Sequence, residues 1–188
     1  FIMFAAPIEN ELVWHEAGIE GTVRFLQRVW RLVYKWRNAV TSQLSLVTGQ
    51  EASAASRKLR RKTHQTIKRV SDSFDSLQFN TPVAGLMELS NAIGDIGVEP
   101  ENARESDIFA VREALTSLVL MLTPFTPHTS EELYSVLIGN EDGILANGAR
   151  FPEYNADLAK ADEIEIPVMM SGKVKAGAAR GRAASSVI

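Results

Sequence analysis

The chain has 188 residues, 45% hydrophobic and 23% charged, the balance of an ordinary globular protein of one or two domains with enough length to bury a core. It has no cysteine, which excludes disulfides and thiolate metal sites, and His15, His64 and His128 are too scattered for metal-ligand spacing. The net charge of −3 is unevenly spread: residues 21–75 hold 12 Lys/Arg against 3 Asp/Glu, a stretch of +9 within a remainder of −12. That pattern fits a face that meets a nucleic-acid backbone, or else a solvated helical surface.

Phe1–Pro7 is apolar but too short to span a membrane, and it lacks the charged start of a signal peptide. Phe1 in place of methionine, and an unfinished tail at Ala183–Ile188, suggest a piece of a longer protein. Ile19–Ser45 is predicted as a long helix. Val23, Leu26, Val29, Trp30, Val33, Trp36 and Val40 recur at steps of three and four as an apolar stripe. Arg24, Arg28, Arg31 and Lys35 recur along another side as a basic ridge. After a break around Gly49, Ser53–Ser76 reads as a second helix whose apolar line is Leu59, Ile67, Val70, Phe74 and Leu77. Its cations are Arg57, Lys58, Arg60, Arg61, Lys62, Lys68 and Arg69. Like charges this dense repel by roughly 0.2–0.5 kcal/mol per neighbouring pair, which a bound anion relieves.

Thr81-Pro82 predicts the start of a third helix, with Val83, Leu86, Met87, Ser90 and Ile93 facing in and an end near Gly94–Gly97. A fourth opens at Ser106 or Asp107 and buries Val111, Leu115, Leu118, Val119 and Leu122. Thr123–His128 interrupts it. Thr126-Pro127 repeats the cap-then-proline start, and a fifth helix runs to about Ile138. Gly139–Asn155 carries turn chemistry. Glu163–Met170 alternates, Ser171-Gly172 turns and Lys173-Val174-Lys175 returns, the pattern of a hairpin, while the tail Ala176–Ser186 fits no element. The order predicts a mainly α fold, an antiparallel helical bundle followed by a short β-hairpin that opens a small C-terminal domain. Its expected divisions are 1–7 as the end of a connecting segment, 8–140 as the bundle, 141–160 as a linker and 161–188 as the truncated second domain.

No glycine-rich phosphate loop and no Ser/His/Asp grouping is present. His128 with Glu131 and Glu132 is too weak a pattern for acid/base or metal chemistry and reads as capping or packing, so no catalytic or metal residue is expected. His64, set among cations, is a candidate phosphate contact, with helix packing as the alternative. Trp30 and Trp36 are expected in the core, and Trp14 closing the end of the bundle.

Four stretches together resemble one family. Phe1-Ile-Met-Phe-Ala-Ala-Pro with Leu12-Val13-Trp14 is similar to the FMMFASP…W run of bacterial leucyl-tRNA synthetases. Arg24-Phe25-Leu26-Gln27-Arg28-Val29-Trp30-Arg31-Leu32-Val33 resembles the first helix of their anticodon-binding domain. Pro124-Phe125-Thr126-Pro127-His128 with Glu131-Glu132-Leu133 is similar to the PFxPHxxEEL motif shared by related class I synthetases. Ser171-Gly172-Lys173-Val174-Lys175 resembles the NGKxR hairpin of the leucine enzymes, with Ser171 for the usual Asn and Lys175 for the usual Arg.

The resemblance implies a cytoplasmic enzyme that joins leucine to its tRNA with ATP and magnesium, neither of which this region is expected to hold. The catalytic and editing domains are expected to lie elsewhere. It also implies a bundle that packs on the enzyme's own catalytic domain and grips leucine-accepting tRNA by its backbone, with no membrane or DNA partner. The implied RNA-binding residues are Arg24, Arg28, Arg31, Lys35, Arg57, Arg60, Arg61, His64, Lys68, Lys173 and Lys175. The alternatives are the same region of a valyl or isoleucyl enzyme, a non-catalytic helical RNA-binding module, and a helical protein whose basic face meets an acidic partner.

Overall fold

A computed structural model describes residues 1–5, 11, 14, 16–42, 52–76 and 78–160, together with the backbone of four short strands between 163 and 182. The helices are α1 (Ile2–Ala5), α2 (Glu16–Ser42), α3 (Ala54–Asp75), α4 (Asn80–Gly94), α5 (Glu105–Leu122), α6 (Pro127–Ile138) and α7 (Ala156–Ala159), with a 3-10 turn at Pro100–Asn102.

The long helix α2 buries Phe25, Val29, Leu32, Val33, Trp36 and Val40 along one stripe. Each fully buried aliphatic side chain there contributes about 1.5–3 kcal/mol. Trp30, expected in the core, lies outside it. One residue from Val29 is a rotation of about 100° around a helix, which puts the indole at the edge of the stripe, 38% exposed. It stacks on Tyr34, with ring centroids 5.5 Å apart, and the Arg37 guanidinium lies 5.1 Å from the Tyr34 ring centre. Trp14 is exposed as well, edge-on to Phe1 rather than sealed into the bundle.

Ser53 starts α3 by accepting the Ser56 N–H on its side-chain oxygen at 2.9 Å. Both hydroxyls donate to Asp107 Oδ1 near the start of α5, Ser53 from 2.6 Å. Burial by itself raises the Asp107 carboxyl. The two serine hydroxyls and the Arg104 N–H outweigh it and hold the group below the usual carboxylate range. This knot fixes the first turns of α3 and α5 side by side.

The start of α4 is Asn80, one residue ahead of the expected Thr81 cap. Pro82 then falls in the first turn, where its missing N–H has no helical partner to lose. Thr126 does precede Pro127 at the start of α6, but its side chain donates back to the Leu122 carbonyl rather than capping. The end of α6 is Gly139, at φ 71°, where the Gly139 and Asn140 N–H groups both reach the Ser135 carbonyl.

Packing follows from these faces. Helix α5 is central and contacts α2, α3, α4 and α6, while α4 lies between α2 and α3. Leu86, Leu89, Ile93, Leu115, Leu118, Leu133 and Leu137 are fully enclosed. Beyond α6, Glu131 accepts the N–H groups of Ile144 and Leu145 and pins the following loop. The chain then crosses α3, with Phe151 edge-on to Phe74, and α7 packs on α3.

Four strands follow. β1 (Glu163–Ile166) pairs antiparallel with β4 (Ala179–Arg182), and β2 (Met169–Met170) with β3 (Lys173–Val174). The tail left unassigned from the sequence thus supplies β4. Leu77, Ser171, Gly172 and Lys175 lie outside the described residues.

Candidate nucleic-acid interface

The cations of α2 and α3 divide by what their helices pack against. On α2, Arg24 pairs loosely with Glu20 at 3.4 Å, both well exposed. Arg28 reaches across to the Asn91 side-chain oxygen on α4. Lys35 meets Glu99, just past α4, at 2.7 Å. Arg31 is exposed and has no partner among the described residues.

On the edge of α3 that faces α4, Lys62 Nζ lies 2.6 Å from Glu88 Oε2 and Arg69 Nη1 3.0 Å from Glu88 Oε1. The Lys62 hydrogen bond first, and the Arg69 bond with it, hold the Glu88 carboxyl below its ordinary value against the opposing effect of burial. Lys58 is exposed and lines the groove between α3 and α4 with Leu59, Lys62, Asn91 and Asp95. The two basic helices therefore send cations toward the outer face of α4 from both sides. Their carboxylate partners are solvent-accessible, and pairs of that kind are worth only about 0–1 kcal/mol. They exchange readily for other anions.

The edge of α3 that faces α5 is committed inward through Arg60 and His64, while Arg57 and Lys68 are exposed. Arg60 grips Glu113 of α5 with two hydrogen bonds, 2.6 Å from Nε and 3.1 Å from Nη2. Each side chain is about a quarter exposed, and the guanidinium lies 5.0 Å from the Phe109 ring centre. His64 is buried. Its Nδ1 accepts the Asn155 N–H at 3.2 Å, which leaves the proton on Nε2, 3.4 Å from Glu113 Oε1. Arg61 Nε donates to the Lys160 carbonyl at 2.7 Å, and Gln65 to that of Ala159. Arg57 donates to the Ala52 carbonyl, and Lys68 pairs with Asp72 beside the Tyr154 ring. Of the residues nominated from the sequence, Arg60 and His64 thus fasten α3 to α5 and to the crossing segment, because Glu113 and Asn155 present matching partners. Lys173 lies in β3, of which only the backbone is described, and Lys175 lies outside the described residues.

Lys58, Lys62 and Arg69 are not among the RNA-binding residues that the resemblance implies. Their spacing of four and seven places them on one edge of a helix, which was visible in the sequence. The helix against which that edge lies was not.

At the end where α2 and α4 begin and α5 finishes, Phe1, Trp14, Phe25, Leu26, Leu122 and Phe125 line an open apolar cavity of about 330 Å³. Among the described residues, no helix is long and apolar enough to cross a membrane. Nor is any group of three or more His, Asp or Glu side chains among them placed to hold a metal ion.

A family model described as the anticodon-binding domain of tRNA ligase matches residues 56–185. Relatives named leucine–tRNA ligase are similar over 93% of the chain: one from Geobacter sp. (strain M21) is 40% identical over 178 residues, and one from Synechococcus sp. (strain JA-3-3Ab) 38% identical over 186. The chain covers 20% of each, so it spans about a fifth of the length of the curated relatives it matches. Among solved structures, the Agrobacterium radiobacter K84 agnB2 LeuRS, in a ternary complex with tRNA and LeuAMS, is similar at a TM-score of 0.75 and 23% identity, over 97% of this chain and 22% of that one. At that identity the likeness is one of fold.

Proposed function

The chain belongs to the family of anticodon-binding domains of tRNA ligases, and from this we propose that it is the tRNA-holding helical portion of a cytoplasmic leucine–tRNA ligase. The observation that carries the reading is the convergence of cations from α2 and α3 on the outer face of α4 in a chain whose net charge is −3. Arg28, Arg31, Lys58, Lys62 and Arg69 meet the phosphates of a folded RNA there. Exposed side chains on helix faces suit backbone and shape contacts rather than reading of base edges. Each phosphate contact releases condensed counterions, so affinity falls with salt. Binding in this way orients the acceptor end of the tRNA toward a catalytic centre elsewhere in the enzyme.

That whole enzyme joins leucine to tRNA using ATP and magnesium. The apolar cavity beside Trp14 and Phe125 is the surface that packs on the catalytic domain. Residues 8–140 form the bundle. Residues 141–160 form a linker strapped to α3, and the paired strands within 161–188 open a C-terminal tRNA-binding domain to which Lys173 and Lys175 contribute.

The test is Arg28→Ala with Arg31→Ala. Both residues lie off the core, so thermal unfolding stays as in the unaltered chain. Affinity for leucine-accepting tRNA drops about tenfold and the slope of log K against log salt shallows by about 1–2. Unchanged affinity and slope in the folded double variant would sink the assignment of this face.

A further inference from the structure

The contact between Lys62, Arg69 and Glu88 has a geometry that ordinary helix pairing does not require. One carboxylate divides its two oxygens between two cations, Oε2 to Lys62 Nζ at 2.6 Å and Oε1 to Arg69 Nη1 at 3.0 Å. Two cations sharing two oxygens of one anion is also how a phosphodiester is held. The place is open to solvent: the side chains are 33%, 42% and 48% exposed for Lys62, Arg69 and Glu88. Among the described residues, no buried group has Glu88 as its only partner. One turn further along the same side of α4, Asn91 receives Arg28 from α2, so the row of cations continues past this point. Glu88 is thus a negative charge set directly between Lys62 and Arg69, with Lys58 and Asp95 in the same groove.

We propose that Lys62 and Arg69 form a phosphodiester-binding site in which the Glu88 carboxylate stands in for the ligand, so that an RNA phosphate displaces it on binding. The proposal rests on the tRNA-holding reading above. Glu88 keeps the empty site from repelling itself open and from holding stray anions. An RNA must offer several phosphates at once to outcompete it, because displacing one exposed carboxylate yields little from a single contact. The carboxylate is pushed aside and remains ionised in water, so no proton or bond changes hands.

The experiment measures affinity for leucine-accepting tRNA over a salt series, using the full chain and four variants. These are Glu88→Gln, Lys62→Gln with Arg69→Gln, all three changes together, and Glu132→Gln as a charge removal on an exposed site of α6. Glu88→Gln is expected to tighten binding about three- to tenfold, the size of one unit-charge repulsion at contact distance in water, and to steepen the salt slope. Glu132→Gln is expected to change it by less than about twofold, since exposed charges further apart than about 10 Å are screened. The gain from Glu88→Gln is expected to vanish once Lys62 and Arg69 are removed. Binding that ignores Glu88→Gln, or a gain that survives without Lys62 and Arg69, overturns this proposal and leaves the tRNA reading standing. A folded chain that binds no tRNA in any variant overturns both.

Discussion

Replacing Arg60 with alanine separates cations that hold the fold from cations that face outward. Arg60 makes two charge-assisted hydrogen bonds to Glu113 and covers Phe109. Removing it strands a carboxylate that is only 22% exposed, next to the buried His64. Loss of one partner of a fully buried ion pair costs about 3–5 kcal/mol. The quarter exposure of this pair admits water and reduces the figure, so about 2–3 kcal/mol is expected, including about 0.5 from the lost ring contact. For a protein of this size each kcal/mol moves the melting temperature by about 2–4 °C, which gives a fall of about 4–12 °C. Urea unfolding followed by circular dichroism reads the loss. Affinity for tRNA, measured where the variant is still folded, is expected to stay within about twofold of the unaltered chain. Lys58→Ala with Lys62→Ala is the mirror case, with stability within about 0.5 kcal/mol and binding weakened with a shallower salt slope. A stable Arg60→Ala variant that has lost tRNA affinity would refute the division of α3 into an inward and an outward edge.

Asp107→Ala leaves the Ser53 and Ser56 hydroxyls and the Arg104 N–H without their acceptor and is expected to cost about 3 kcal/mol in urea unfolding at neutral pH. Because the folded-state value of Asp107 is depressed, its contribution is complete above the unfolded value near 4 and disappears as pH falls through the folded value. The gap between the unaltered chain and Asp107→Ala should therefore narrow as pH is lowered below about 4; a gap constant down to strongly acid pH counts against the serine–aspartate knot. Gly139→Ala forces a left-handed residue at φ 71° and sets a methyl 3.1 Å from Thr41 Cγ2, at an expected cost of about 1–2 kcal/mol. A neutral result in urea unfolding would show that the α6 terminus relaxes away from α2.

The helices were legible because their apolar residues keep a strict step. Val29, Val33, Trp36 and Val40 mark the buried stripe of α2, and the same spacing, applied narrowly, already sets Trp30 to one side. The start of α6 at Pro127 and its end before Gly139 follow from local chemistry that needs no partner, although Thr126 does not supply the expected cap. The charge excess of residues 21–75 signalled a basic face. Which cations compose it was not legible, because their partners are remote. Glu113 lies 53 residues from Arg60, Glu88 lies 26 from Lys62, and Asn155 lies 91 from His64. A helical repeat fixes which residues share an edge, but only the packing of α3 between α4 and α5 decides which edge is occupied.

The proposed role of this face is to hold tRNA through its phosphates. Its most direct test is binding of the purified chain to a leucine-accepting and a valine-accepting tRNA, each across a salt series. Binding to the leucine-accepting tRNA is expected to weaken steeply with salt, with a log–log slope of about −4 for five cations, and the valine-accepting tRNA is expected to show a slope of similar size. A chain shown to be folded that binds neither tRNA at low salt, or binds them without salt dependence, contradicts it.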